Sequence, residues 1–146
     1  MSMAYNSIIP EHTEDPKKLL LDRVGNVNDI ELFNNQILVA IYVRPEKTRG
    51  GIIITDRTRK EDWYQCKIGL IIKMGPSAFV PDGQWFEGTT FNVGDWVVYR
   101  PSDGWALTIF NKDYPVKGAG DDGNVLCRIL DDVSVRGRVP HPDRVW

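Results

Sequence analysis

The side chains best suited to catalysis are few in this sequence, and they lie far apart. His12 follows Glu11 and His141 precedes Pro142, so the two histidines fall near opposite ends of the chain. A lone terminal histidine is usually solvated, and the sequence supplies neither of these with an evident nucleophile. The pattern therefore predicts no histidine-based acid–base or nucleophilic site.

The acidic pairs and the cysteines favour structural roles. Asp121–Asp122 and Asp131–Asp132 could suggest paired carboxylates, but both pairs precede strand-like runs and are typical of turns. Cys66 and Cys127 form no Cys-x-x-Cys motif and lie in strand-like segments, which indicates reduced core thiols. No set of His, Cys, Asp and Glu has metal-ligand spacing. We therefore expect a protein that is not an enzyme and that binds no metal or cofactor.

Composition and charge narrow the class of partner. The 146 residues are 42% hydrophobic and 26% charged, with a net charge of -2, which suits one small globular domain. This charge gives no general attraction to nucleic acid or to an anionic membrane. No apolar run is long enough to span a membrane, and the first residues show no signal-peptide pattern. We expect a cytoplasmic protein that binds neither nucleic acid nor membrane.

Short β-type segments dominate the chain after one predicted helix. Asp15-Pro16, followed by KKLLLDRV and Gly25, supplies an N-cap, a proline at the first helical position and a glycine stop. Apolar or β-branched segments then alternate with Gly, Pro, Asn and Asp, which predicts an all-β fold, either a small closed barrel or a sandwich. The predicted strands are residues 37–43, 51–55, 67–74, 95–100, 105–110, 125–130 and 133–139.

Several of these predicted strands are apolar on both faces, as in ILVAIYV at residues 37–43. A small barrel fills its interior from one face, so the other face also needs a cover. Packing against neighbouring subunits would provide it. A homo-oligomer is therefore expected.

Two apolar stretches could instead contact a partner. The segment EKTRGGIIITD, residues 46–56, places the triplet Ile52–Ile54 directly after Gly50–Gly51. The triplet belongs either to a buried strand or to an exposed tip. Trp85 and Phe86 lie in a Gly/Pro-rich connection, where they either cap the end of the barrel or form an apolar tip that meets other copies or a partner.

The order of these segments resembles the GroES-type co-chaperonins. LFNNQILVAIYVRPEKTRGGIIITD is similar to the family's first strand, charged loop, glycine pair and hydrophobic tripeptide, and KIGLIIKMGPSAF to its strand ending in a Gly-Pro or Gly-Asn turn. FNVGDWVVYRPSDGWAL contains the Val-Gly-Asp signature at Val93–Asp95, and NVLCRILDDVSVRGRV resembles the closing strands. The resemblance implies a GroES-like β-barrel domain at residues 32–139, an N-terminal arm carrying the helix at 1–31, and a C-terminal tail at 140–146.

The resemblance also implies a function in assisted protein folding. Subunits of this family form a seven-membered ring that caps a GroEL-type chaperonin, and each extends a mobile loop whose hydrophobic tripeptide docks between two apical-domain helices. Trp85 and Phe86 would then be oligomer or roof contacts. The positions of this chain that match the docking loop are Gly50, Gly51, Ile52, Ile53, Ile54 and Thr55.

Three departures from the family leave a second function open. The limb RPEKTR is about three residues shorter than in the family, which at roughly 3.5 Å each removes about 10 Å of reach. The arm and the tail PHPDRVW have no family counterpart, and NKDYPVKGAGDDG is interpreted as an insertion. Long arms on a small β-domain commonly clamp neighbours in large assemblies. The alternative is a bacteriophage virion protein with a GroES-like fold, which decorates or cements a capsid by binding the major capsid protein.

Overall fold

Six antiparallel strands form one sheet in the part of the chain that the computed structural model describes, residues 15–42, 67–111 and 124–145. The strand order is β4-β5-β1-β2-β3-β6, and a helix α1 precedes the first strand. The elements are α1 (Pro16–Val24), β1 (Gln36–Ile41), β2 (Ile68–Met74), β3 (Trp96–Val98), β4 (Trp105–Phe110), β5 (Asn124–Asp131) and β6 (Gly137–Val139), with 3-10 turns at Asp132–Ser134 and Pro142–Arg144.

This architecture confirms the predicted all-β fold with one short helix. One predicted strand, residues 133–139, was wrong in its first half, because Asp132–Ser134 form a 3-10 turn and only Gly137–Val139 pair with β3. The Asp132 side chain anchors this turn to the rest of the fold. Its carboxylate accepts hydrogen bonds from Asn35 Nδ2 and from the backbone N–H of Phe79, each at 2.9 Å. The predicted strand 51–55 lies outside the described residues.

Local capping signals place helix α1 where the sequence predicted it. The Asp15 side chain accepts a hydrogen bond from the Lys17 backbone N–H at 3.2 Å, and Pro16 occupies the first turn. Gly25 ends the helix with a positive φ of 72°, and its N–H donates to the carbonyl of Leu21 at 3.1 Å. All of these signals lie within one turn of a helix end, so sequence alone could identify them.

Both faces of the sheet are buried by this chain itself. Alternate residues of β1 point to opposite faces, so Leu38 and Ala40 join one core cluster while Ile37 and Val39 join the other. Helix α1 and the segment after it cover the first cluster through apolar side chains. The residues that provide this cover are Leu20, Leu21, Val24, Val27, Ile30 and Leu32.

This packing corrects the argument that predicted oligomerisation from two-faced strands. Apolar residues on both faces show that both faces need burial, but the pattern does not say what buries them. Here the second cover is residues 15–32 of the same chain. Lys73 of β2 fixes this segment, because its ammonium donates to the backbone carbonyls of Val27, at 2.9 Å, and Ile30. An oligomer must therefore be argued on other grounds.

The Cys127 thiol is expected to be inert towards thiol reagents in the native protein. Its residue is fully buried in the first cluster, and burial raises the pKa of the thiol to about 12. At pH 8 the thiolate fraction is then about one in ten thousand, and the thiolate is the reactive form. A Cys66→Ser variant, which leaves Cys127 as the single thiol, should react with a chromogenic disulfide only after guanidinium unfolding. Stoichiometric labelling in native buffer would contradict this expectation.

Candidate partner-binding site

The predicted docking positions Gly50–Thr55 lie outside the described residues, but the two positions that flank this connection are described. The connection joins the neighbouring strands β1 and β2, and it leaves the sheet after Tyr42 and returns at Lys67. The Tyr42 N–H donates to the Ile68 carbonyl at 3.1 Å, and the Tyr99 N–H donates to the Lys67 carbonyl at 2.9 Å. The root of the predicted docking loop is therefore part of the hydrogen-bonded sheet.

The C-terminal segment fixes this root from the side. Tyr42 is buried, its ring meets the Trp96 ring edge-on at 5.8 Å, and its hydroxyl donates to Asp143 Oδ1 at 2.6 Å. Pro142, the residue before Asp143, is fully buried. Residues of the predicted tail thus pack onto the sheet beside the point where the connection begins.

Tyr42→Phe is expected to lower the free energy of unfolding by about 1–3 kcal/mol. The substitution removes a hydrogen bond to a charged, largely buried carboxylate and keeps the ring that packs on Trp96. Urea denaturation of Tyr42→Phe, Asp143→Ala and the double variant measures the coupling. Additive losses in the double variant would show that the pair does not stabilise the root.

Trp85 and Phe86 lie in the segment between β2 and β3, and the structure separates their roles. Phe86 packs edge-on against Phe79, with ring centroids 5.1 Å apart, and Phe79 stacks on Phe91 at 4.1 Å. Trp85 lies beside this aromatic cluster, 6.4 Å from the Phe86 ring, and remains 47% exposed. Phe86 therefore holds the segment together, whereas Trp85 presents its indole to solvent.

Backbone hydrogen bonds to two carboxylates shape the turn that carries Trp85. Asp82 Oδ1 accepts from the backbone N–H groups of Gln84, at 2.9 Å, and Trp85, at 2.7 Å. These bonds stabilise the ionised form and lower the pKa of the Asp82 carboxyl. Glu87 accepts from the Gly83 N–H at 2.7 Å. The turn is thus built from the segment's own side chains.

Two long-range contacts tie the base of the aromatic segment to the sheet. Asp132 is buried and accepts the Phe79 N–H at 2.9 Å. The Arg138 guanidinium lies 4.7 Å from the centre of the Phe91 ring and donates to the Thr90 carbonyl at 2.6 Å. The sequence pattern predicted only a turn role for Asp132. No local signal could have shown that its partners lie 53 and 97 residues away.

The described residues offer little to catalysis or to metals. His141 Nδ1 accepts the Asp143 N–H at 3.1 Å, which gives it a structural role at the Pro142–Arg144 turn. His12 and Asp121–Asp122 lie outside the described residues. Within residues 15–42, 67–111 and 124–145, no group of three or more His, Cys, Asp or Glu side chains could hold a metal ion. The helix in this part of the chain is too short to cross a membrane.

Comparison with known proteins gives this all-β chain a class. A family model described as the chaperonin 10 Kd subunit, Cpn10, matches residues 29–121, a span that contains both the isoleucine triplet and the aromatic segment. The co-chaperonin GroES of Halothermothrix orenii is 30% identical over 93 residues, which cover 64% of this chain and 92% of that protein. An all-β protein with these two matches falls in the co-chaperonin class. The chain belongs to the Cpn10 family, the GroES-type co-chaperonins.

Several elements of the described fold lie outside the matched span. It begins after helix α1 and ends before β5, so the helix, the closing strands and the C-terminal turn lie outside it. These elements nevertheless pack on the matched part: β5 pairs with β1, and α1 covers the first core cluster. The described fold therefore includes a helix and two strands that lie outside the span matched by the family model.

Proposed function

We propose that this protein caps a GroEL-type chaperonin, with Ile52–Ile54 as the docking tip and Gly50–Gly51 as its flexible hinge. The observation that carries the proposal is the family match over residues 29–121, because it spans this connection. The described root supports it: Tyr42 is held by a hydrogen bond to the sheet and by Asp143, so the loop is anchored at a fixed point.

The energetics of such a tip require several copies acting together. Burying three isoleucines contributes roughly 5–9 kcal/mol gross, at about 1.5–3 kcal/mol each. Ordering a loop of about ten residues costs on the order of 10 kcal/mol. A single arm would therefore bind weakly, whereas arms joined in a ring raise one another's effective concentration. We accordingly propose a homo-oligomeric ring, heptameric as in the family, whose individual contacts stay releasable.

Trp85 is the described side chain that we propose as a roof or oligomer contact. It is exposed at a turn held by Asp82, and Phe86 supports it from within the aromatic cluster. An indole held in place by its neighbours loses little entropy when it is buried by another subunit, which suits a contact between copies. Phe86 would act indirectly, by orienting Trp85.

Binding to a purified GroEL-type chaperonin tests this proposal. The native mass should first show a closed ring, and the ring should co-elute with the chaperonin only when nucleotide is present. A synthetic EKTRGGIIITD peptide should compete weakly because it is monovalent, and a scrambled peptide should not compete. A closed ring that never co-elutes with the chaperonin would overturn the capping function.

The capsid-decoration alternative receives less support from the structure. It relied on the arm and the tail as clamps for neighbouring proteins. Residues 15–31 of the arm and the Pro142–Arg144 turn pack on this chain's own sheet, where they make intramolecular contacts. The packing of these residues is therefore explained without a capsid.

A further inference from the structure

Strand β4 presents an apolar edge to solvent. Its sequence, WALTIF, contains no charge and no proline, yet Trp105 is 80% exposed and Phe110 is 65% exposed. Among the described residues, β5 is its only sheet neighbour, so β4 is the edge of the described sheet on that side. Exposed edges of this kind are templates for pairing with another strand.

The opposite edge of the sheet shows the contrast. Strand β6 has only three residues, and its central Arg138 bonds to the Thr90 carbonyl and to Asp95. A short edge strand with a charged residue is one of the usual protections against unwanted pairing. Strand β4 has twice the length and no such protection within its six residues. The difference points to an edge that is covered in the working protein.

We propose that β4 pairs antiparallel with β4 of a second copy of this chain, about a two-fold axis at Leu107. Directly opposite residues of an antiparallel pair share a face of the sheet, so a two-fold pairing must place one residue opposite its own copy. Centred on Leu107, the pairing sets Trp105 opposite Ile109 on one face. On the other face Ala106 meets Thr108, and Phe110 meets the residue just before the strand, Gly104.

The register centred on the next residue, Thr108, fits less well. A two-fold centred on Thr108 would set Trp105 opposite Asn111 and Asp103 opposite Asp113, which leaves the indole without an apolar partner and opposes like charges. With the axis at Leu107, Asp103 meets the neutral amide of Asn111 instead. Of these two registers, the one centred on Leu107 is therefore the better matched.

This pairing would continue the existing core into the second copy. Leu107 and Ile109 pack against the first core cluster, where they lie opposite Cys127 and Val125 of β5. Trp105 lies two residues before Leu107 in the strand, so its side chain is on the same face of the sheet. In the proposed pair its indole covers Ile109 of the other copy and shields the end of that cluster from water. The inference goes beyond chaperonin capping and does not depend on it.

Sedimentation of the full-length protein tests the association. The wild type should show, at rising concentration, a species of twice the mass of its basic assembly, whether that is a monomer or a ring. Trp105→Lys should abolish the doubling, because a charge would be buried opposite Ile109. Val93→Lys, at another exposed apolar residue, is the matched control and should keep it. Absence of doubling at hundreds of micromolar, or equal loss in both variants, would overturn the proposal.

Disulfide trapping tests the register independently. In a Cys66→Ser/Cys127→Ala background, which removes the thiol directly opposite residue 107 in the same chain, Leu107→Cys should give a covalent dimer on mild oxidation, since the two copies of residue 107 face each other. Thr108→Cys should give less, and adding Trp105→Lys should remove the product. Equal or greater trapping at residue 108 would overturn the Leu107-centred register, and no trapping at either position would overturn the pairing.

Discussion

An Ile53→Asp substitution is expected to abolish nucleotide-dependent binding to a GroEL-type chaperonin while leaving the ring and the fold intact. The proposed contact buries Ile53 in an apolar groove, and losing it removes about 1.5–3 kcal/mol per arm. The introduced carboxylate adds a larger cost, because it must be desolvated without a partner or be protonated on binding. Either route costs several kcal/mol per arm.

Multivalency amplifies this loss. Every 1.4 kcal/mol lowers an association constant about tenfold, and each arm of a ring carries the same substitution. The effects accumulate over the arms that must engage together, so the complex should disappear from co-elution and from calorimetry. Ile53→Val is the matched control: it removes one methylene, about 0.8 kcal/mol per arm, and should weaken binding without abolishing it.

The outcome is interpretable only if the variant still forms the wild-type ring, which native mass measurement establishes. With the ring intact, unimpaired binding by Ile53→Asp would remove the triplet as the docking tip. Loss of the fold or of the ring in Ile53→Asp, with Ile53→Val unaffected, would instead show that the triplet packs within the subunit, and would contradict the proposal in the same way.

The parts of this fold that the sequence predicted are those encoded by nearby residues. Helix α1 is defined by Asp15, Pro16 and Gly25, all within a turn of its ends. The strands follow from apolar runs bounded by turn residues, and their observed ends differ from the predicted ones by up to a few residues. The order of motifs was specific enough to indicate the family, which the match over residues 29–121 then confirmed.

The parts that sequence could not predict depend on contacts between distant segments. The continuous apolar run of β1 indicated that both faces of the sheet are covered, but only the folded chain shows that α1 supplies the second cover. Trp85 and Phe86 are adjacent and similar, yet the packing of Phe79 and Phe91 draws only Phe86 inward. Asp132 looked like a turn residue because its buried role depends on partners from β1's entry and the aromatic segment.

Among the glycines that the structure describes, the largest stability loss from adding a methyl group is expected at Gly104, just before β4. Its φ is +73°, a left-handed conformation that costs a residue with a side chain about 1–2 kcal/mol. A Cβ there would also lie 2.2 Å from the Ile129 carbonyl oxygen and 2.7 Å from Leu130 Cδ2. Strand β5 pairs with both β1 and β4, so its backbone cannot retreat without breaking the sheet. Gly104→Ala should therefore cost about 4 kcal/mol or more.

Gly83 provides the control that separates backbone strain from this clash. Its φ of +87° is also left-handed, but a Cβ at Gly83 would meet nothing within 4 Å. Gly83→Ala should cost only the conformational part, about 1–2 kcal/mol. Guanidinium denaturation of the two variants gives the difference directly, and that difference measures how tightly the turn at Gly104 presses on β5. Equal losses would show that β5 yields to the added methyl, and that the β4 edge is held less rigidly than its backbone contacts indicate.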